Sequence, residues 1–256
     1  MAAGKDRQVD ALKLIGLLWR EPYTERGPRS GASTSSVTAL AVHIADREGI
    51  EAVTLRRIAQ EASVTAMALY PHIGGRLELI ELMLDQVAAD VYDRVAIPEA
   101  PDWRTRIEAI AEANWKNCLR HPWITEHAPG RSVPGPGSST KYEIELQALD
   151  DIGLSDVEME HTLTALITFV NGIARATLAN RRSRDQSGRD DVQWWQQIEP
   201  TLSTFVRYRQ KFPIAVRVSR TLGDTTGKAN DPESVYRFGL SLLLDGLAAR
   251  REKPKL

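Results

Sequence analysis

The chain has 256 residues, 42% of them hydrophobic and 26% charged, with a formal net charge of −1. That is enough apolar material for one large domain or two smaller ones, and it excludes a globally basic protein, so any nucleic-acid partner must meet a local patch. The single cysteine, Cys118, cannot close an internal disulfide, which suits a reducing cytoplasm.

The apolar run "ALKLIGLLW" at 11–19 is too short to span a bilayer and lacks a small-residue cleavage signal after it. It reads as a short amphipathic helix using Val9, Leu12, Ile15 and Trp19, and no other segment reads as a membrane span. Residues 20–33 are rich in Gly, Pro, Ser and charge and read as a mobile arm. Helical periodicity then begins: Val37, Leu40, Ala41, Ile44 and Ala45 share one stripe, with Ser35 or Ser36 to cap its start and Gly49 to stop it. Thr54 is a good N-cap for a run carrying Leu55, Ile58, Ala59 and Ala62. Ser63 and Val64 lie in a tight turn, Thr65 caps a short helix over 66–73, and Gly74-Gly75 separates it from a helix over 76–94.

"IPEAPD" is a Pro-rich break, after which Asp102 caps a helix over 103–120 that stops before Pro122. The Gly/Pro-dense loop 128–140 precedes a helix over 141–152. Ser155 opens a long helix to about 181, and "RSRDQSGRDD" is a polar loop. A helix over 192–209 follows, then a mostly irregular stretch in which "IAVRV" is compatible with a short strand. Asp231, Pro232 and Glu233 form an N-cap, a first-turn Pro and a first-turn acid, and open a last helix to about 250. With no repeat and no strand–helix alternation, the fold class is all-α.

Two short helices joined by three or four residues make the geometry that places a second helix in the major groove. A helical hairpin inside an ordinary bundle shows the same pattern. In either case Leu69 and Ile73 share a face that can pack on Leu55 and Ile58, turning Ala66, Met67, Tyr70, Ala68 and His72 outward. The stretch "VTLRRIAQEASVTAMALYPHIGGRLELIELML" resembles the DNA-binding domain of the TetR family of bacterial transcription repressors. The likeness runs through Thr54, Ile58-Ala59, the turn 63–65, Leu69-Tyr70, His72-Ile73 and Arg76, and covers about 36–90. More loosely, Trp103, "RHPW" at 120–123 and "FGLSLLLDGL" resemble the C-terminal domain of tetracycline-repressor-like members. One departure is Pro71, between the family's Tyr and His: proline lacks an N–H and clashes with the carbonyl of Met67, which predicts a loosened last turn and a short recognition helix.

The helix over 66–73 is poor in hydrogen-bond donors, but Ala66, Met67 and Ala68 can contact thymine methyl groups in the major groove. The resemblance implies that Arg56 reads a guanine. Thr54, Tyr70, His72 and Arg76 are expected to meet phosphates, with Tyr70 as a core aromatic the alternative, and Thr65 is a further expected DNA contact. One of Arg56 and Arg57 is expected to be merely solvated, and Arg26 and Arg29 either enter the adjacent minor groove or belong to a merely disordered arm. Residues 1–76 carry ten Lys/Arg against eight Asp/Glu, so the patch is local, and acids such as Glu51 and Glu61 must point away from DNA.

A reading head of this kind works as a dimer. On the long helix, Leu163, Ile167, Val170, Ala174 and Leu178 form one apolar stripe, and Ala165, Thr168, Gly172, Ala176 and Ala179 a second of small residues. On the last helix Phe238, Leu242 and Gly246 oppose Leu240, Leu243, Leu244 and Leu247. The resemblance implies a four-helix homodimer interface through 156–181 and 232–250, a double-stranded operator and a small-molecule effector. Tyr92, Asn114, Trp115, Trp123, Phe169 and Asn171 are the candidate pocket residues. Cys118, His121, Glu126 and His127 match no standard zinc spacing, and no metal, cofactor or enzymatic motif is expected. The expected organisation is an arm at 1–34, a three-helix helix-turn-helix domain at 35–80 and a larger ligand-binding and dimerisation domain at 81–256. The expected function is a ligand-responsive, cytoplasmic repressor with no membrane role. The alternative is a helical small-molecule carrier or enzyme that keeps the hairpin only as scaffold.

Overall fold

The computed structural model describes residues 10–20, 33–93, 102–127, 133–205, 207–228 and 231–251, and every element among them is helical. The chain divides into two compact units, residues 1–171 with 251–256, and residues 172–250.

In the first unit α1 (Ala11–Leu18) starts at Asp10, whose side chain accepts from the Lys13 N–H at 3.2 Å. Its buried residues are Leu14, Leu17 and Leu18, while Leu12, Ile15 and Trp19 are exposed, so the expected stripe is replaced by a neighbouring one. Both stripes exist in this apolar run, and only packing chooses between them. Val9 lies outside the described residues. Helix α2 (Thr34–Glu48) is capped by Ser33, in a reciprocal box with Ser36, rather than by Ser35 or Ser36. Gly49 ends it with φ +87, a conformation that glycine adopts without penalty.

Helices α3 (Leu55–Glu61), α4 (Ala66–Ile73) and α5 (Arg76–Ala89) follow, with Thr54 and Thr65 as the N-caps of the first two. Leu14, Ile44, Ile58, Leu69, Ile73, Leu79 and Met83 are almost wholly buried in one cluster with Trp123, and each such side chain contributes roughly 1.5–3 kcal/mol. Helix α6 (Trp103–Arg120) starts at Asp102 and stops before Pro122, as the sequence indicates. The 3-10 turn Pro122–Glu126 after it carries Trp123 into the core of the N-terminal helices.

Helix α7 (Pro136–Gln147) begins five residues earlier than expected, because its start is held by Asp85 of α5, an acceptor that lies far off in sequence. Helix α8 (Asp156–Ser187) runs through "RSRDQS", expected to be a loop. Nothing there breaks a helix already nucleated, until Gly188 at φ +62. In the second unit, α9 (Asp191–Phe205) is followed by a separate turn α10 (Tyr208–Lys211), where one continuous helix was expected. Ile214–Val218 is helical rather than a strand: it lies in α11 (Pro213–Thr226), which Pro213 opens. Helix α12 (Pro232–Arg251) starts where the Asp-Pro-Glu signal places it.

One membrane expectation needs correcting. Helix α8 is long and apolar enough to cross a bilayer by length and composition. Residues 162–180 hold one charge, Arg175, because this helix is apolar on two faces. Leu163, Val170, Ala174 and Leu178 are buried, whereas Ala165, Thr168, Gly172, Ala176 and Ala179 are all exposed. On α12, Leu240, Leu244 and Leu247 are buried; Phe238, Leu242 and Gly246 are exposed, and so is Leu243.

Candidate functional site

The turn between α3 and α4 is closed by the Val64 N–H donating to the Ala59 carbonyl at 3.0 Å, with Ser63 at φ +55. Thr54 accepts from the Arg57 N–H at 3.2 Å, and Thr65 from the Ala68 N–H at 3.4 Å, so each hydroxyl sits at a helix start. Leu69 and Ile73 are fully buried, which fixes the roll of α4. Ala66, Met67 (75% exposed), Ala68 and Tyr70 (43% exposed) therefore face outward, and His72 is half-buried.

Pro71 does not break this helix. It is exposed, α4 stays helical to Ile73, and the last carbonyls find acceptable donors outside the helix. Arg20 Nη1 donates to the Pro71 carbonyl at 3.3 Å, Thr34 Oγ1 to that of His72 at 2.9 Å, and the Gly74 N–H to that of Tyr70 at 2.9 Å. The ring removes one donor to Met67, and these contacts hold the turn that it would loosen.

The basic residues divide into two groups. Arg56 is exposed and pairs with no acid among the described residues. Arg57 is held by Glu48 at 3.0 Å and by Glu61, and the Arg57 hydrogen bond keeps the Glu48 carboxyl below its usual range. Arg76 turns inward: Nε donates to the Val53 carbonyl at 3.0 Å and Nη2 to that of Ile50 at 3.2 Å, with Glu51 at 3.5 Å. The expected phosphate ligand thus has a bracing role between α5 and the loop before α3. Arg26 and Arg29 lie outside the described residues.

A second feature lies between α7 and α8, a cavity of about 440 Å³. One wall is Ser138, Ser139, Lys141, Tyr142 and Glu145 of α7; the other is Glu160, Leu163, Thr164, Ile167 and Thr168 of α8, with Pro134 at one end. Glu145 is 2% exposed, and its Oε1 accepts from Lys141 Nζ at 2.6 Å, Tyr92 Oη at 2.6 Å and Asn114 Nδ2 at 2.8 Å. Burial, reinforced by the adjoining carboxylate, pushes the Tyr92 phenol far above its ordinary range. At the rim Tyr142 donates to Glu160 at 2.6 Å.

None of the six expected pocket residues lines this cavity. Tyr92 and Asn114 reach it only through Glu145. Trp115 is buried, Phe169 is half-buried, and Asn171 accepts from the Cys118 thiol at 3.0 Å. Trp123 lies in the core of the N-terminal helices, where its Nε1 donates to Asp46 Oδ1 at 2.8 Å; His121 Nδ1 donates to the same oxygen at 2.8 Å. Sequence reasoning missed Glu145, Asp85 and Asp46. Lys141 and Glu145, four apart in a helical segment, were the one local hint; the other two act on residues far away in the chain.

A family model described as tetracycline repressor-like, C-terminal domain, matches residues 97–251. The HTH-type transcriptional repressor DrrR1 of Streptomyces coeruleorubidus is 31% identical over 241 residues, 93% of this chain and 86% of that protein. The class E tetracycline repressor protein of Escherichia coli is 24% identical over 87% of this chain and 94% of that one. The Streptomyces coelicolor TetR family protein ActR in complex with actinorhodin is similar with a TM-score of 0.69 and 26% identity, over 87% of this chain and 99% of the other.

Proposed function

The chain belongs to the tetracycline-repressor-like regulators of transcription, and from that premise we propose that it represses by reading a palindromic operator as a homodimer and lets go when a small molecule enters the α7–α8 cavity. The observation that carries this reading is the outward face of α4. Ala66, Met67 and Ala68 stand exposed above a fully buried Leu69 and Ile73, and no described residue of their own unit covers them.

Those three side chains read thymine methyls, and Arg56, at the first turn of α3, bonds O6 and N7 of a guanine, worth about 1–3 kcal/mol of discrimination. Thr54, Thr65, Tyr70 and His72 position the phosphates. Arg57 and Arg76 brace the head, and Arg26 and Arg29 extend into the neighbouring minor groove. The labour divides between 35–80 for DNA and 81–256 for effector and pairing. The exposed small-residue stripe of α8 packs with Phe238, Leu242 and Leu243 of α12 across a two-fold axis, setting half-sites about 34–36 Å apart or a multiple of that. This pairing also accounts for the two-sided apolarity of α8 without a membrane.

The cavity lies within the usual size range for a small ligand, roughly 300–1,000 Å³. Its hydroxyls, carboxylates and one ammonium beside Leu163 and Ile167 suit a cyclic effector that carries several oxygens. The actinorhodin named with ActR gives a first molecule to try. The protein acts in the cytoplasm by binding, not by catalysis.

Selection of duplexes from a random pool tests this reading. The expected result is an enriched palindrome whose affinity falls steeply with salt, with a slope of about −0.9 per phosphate neutralised. A helical carrier or enzyme would enrich nothing.

A further inference from the structure

The face that α4 turns outward is defined by what it lacks. Ala66, Met67 and Ala68 are exposed, and their side chains offer methyl groups and a thioether. None of the three donates a hydrogen bond, and a thioether sulfur is at most a weak acceptor. The hydroxyls that flank them are placed for other work. Thr65 Oγ1 caps the helix by accepting from the Ala68 N–H at 3.4 Å, and Tyr70 belongs with the phosphate contacts. Arg56 donates strongly, but it stands in the first turn of α3, so it holds the register on a guanine and leaves the methyl positions to α4.

In the major groove thymine shows an O4 acceptor and a C5 methyl, and its adenine the N6 donor and the N7 acceptor. Cytosine shows an N4 donor, and its guanine the O6 and N7 acceptors. Only a group that donates or accepts can tell these patterns apart. A face of methyls and a thioether touches the C5 methyl and leaves the exocyclic groups to water. Cytosine methylated at C5 carries the same methyl on the same edge of the base. Met67 is unbranched and has three rotatable bonds, so it adapts to the small offset between the two base pairs.

From this face we infer that the protein accepts 5-methylcytosine in place of thymine at the bases under Met67. Methylation of cytosine at C5 in duplex DNA is then a second input to the operator, separate from the effector. A site with unmodified cytosine at such a position is weak, and the same site carrying the C5 methyl is strong. This rests on the proposed reading of thymine methyls by α4, and adds a modified base that the same side chains take.

The test uses the full-length dimer and the selected palindrome, in competition binding at one salt concentration. At each thymine of one half-site in turn, the T·A pair is replaced by C·G and by 5-methylcytosine·G, with deoxyuridine·A alongside. The C·G and 5-methylcytosine·G duplexes differ by a single methyl. At one or two positions deoxyuridine and cytosine should each lose about three- to four-fold or more, while 5-methylcytosine stays within about two-fold of thymine. Met67→Ala, at a position 75% exposed and so without consequence for the core, should erase the preference for 5-methylcytosine over cytosine.

A 5-methylcytosine site as weak as the cytosine site would overturn the inference, while losses with deoxyuridine still uphold thymine reading. A preference for 5-methylcytosine that survives Met67→Ala would overturn it too, because the methyl would then be felt through DNA shape or another side chain. Deoxyuridine equal to thymine at every position sinks the methyl-reading face itself, and a wild type that selects no duplex sinks the repressor reading; the inference goes with either.

Discussion

Replacing Asp46 by alanine should cost the first unit more than loss of a surface carboxylate normally does. One oxygen, Oδ1, accepts from both His121 Nδ1 and Trp123 Nε1 at 2.8 Å. The two donors belong to residues only 6% and 3% exposed, so both are left buried when the acceptor goes. A buried donor without a partner costs roughly 1–3 kcal/mol. The Asp46 side chain is itself 26% exposed, so water reaches part of the vacated space, and the total settles at about 2–4 kcal/mol. Asp46→Asn keeps an acceptor and should cost about 1 kcal/mol, the charge assistance alone. In a chain of this size about 1 kcal/mol moves the midpoint by about 2–4 °C, which predicts a fall of about 5–15 °C for the alanine variant. Thermal melts must be run at one protein concentration, because a dimer's midpoint depends on it. A double-mutant cycle with Trp123→Phe should return a coupling of about 1–2 kcal/mol. An alanine variant that melts with the wild type, or a cycle that closes at zero, would refute the reasoning.

Three further outcomes follow from the same geometry. Arg56→Ala should weaken the selected duplex by about ten-fold or more relative to scrambled DNA in competition binding, whereas Arg57→Ala should leave that ratio alone and lower the melting temperature. Phe238→Asp, on the exposed face of α12, should shift the protein from dimer to monomer in analytical ultracentrifugation. Burial raises the Cys118 thiol from about 9 to about 11; the neutral thiol is thus favoured in the folded state, its stabilising effect is whole below about pH 9, and it is lost as pH rises through about 11. Native protein should therefore resist thiol reagents at pH 8 and react at once when denatured.

Much of the architecture is local in origin and could be read from the residues. Thr54 and Thr65 are short-range caps, Leu69 and Ile73 share a face by spacing alone, and the two stripes of α8 follow from helical period. What could not be read depends on partners chosen by the fold. The apolar run at 11–19 contains two possible stripes, and only packing selects Leu14, Leu17 and Leu18. The cap of α7 lies on Asp85, 52 and 53 residues from the groups that it accepts, so the start of that helix was placed too late. Pro71 predicts a loosened last turn by its local chemistry, but α4 stays helical to Ile73 because Arg20 and Thr34 hold its terminus from outside. The cavity escaped for a related reason. Its polar residues sit on α7 and α8, whereas the expected Trp115 and Trp123 are buried away from it.

The claim on which the account turns is that a helix with almost no donors reads DNA through methyl contacts. Substituting deoxyuridine for thymine, one position at a time across the selected half-site, removes each methyl and changes nothing else. The account predicts that one or two positions lose about three- to four-fold in affinity, the worth of a buried methyl at about 0.8 kcal/mol, and that Met67→Ala no longer feels the change. Indifference at every thymine, or equal losses in wild type and Met67→Ala, would contradict it.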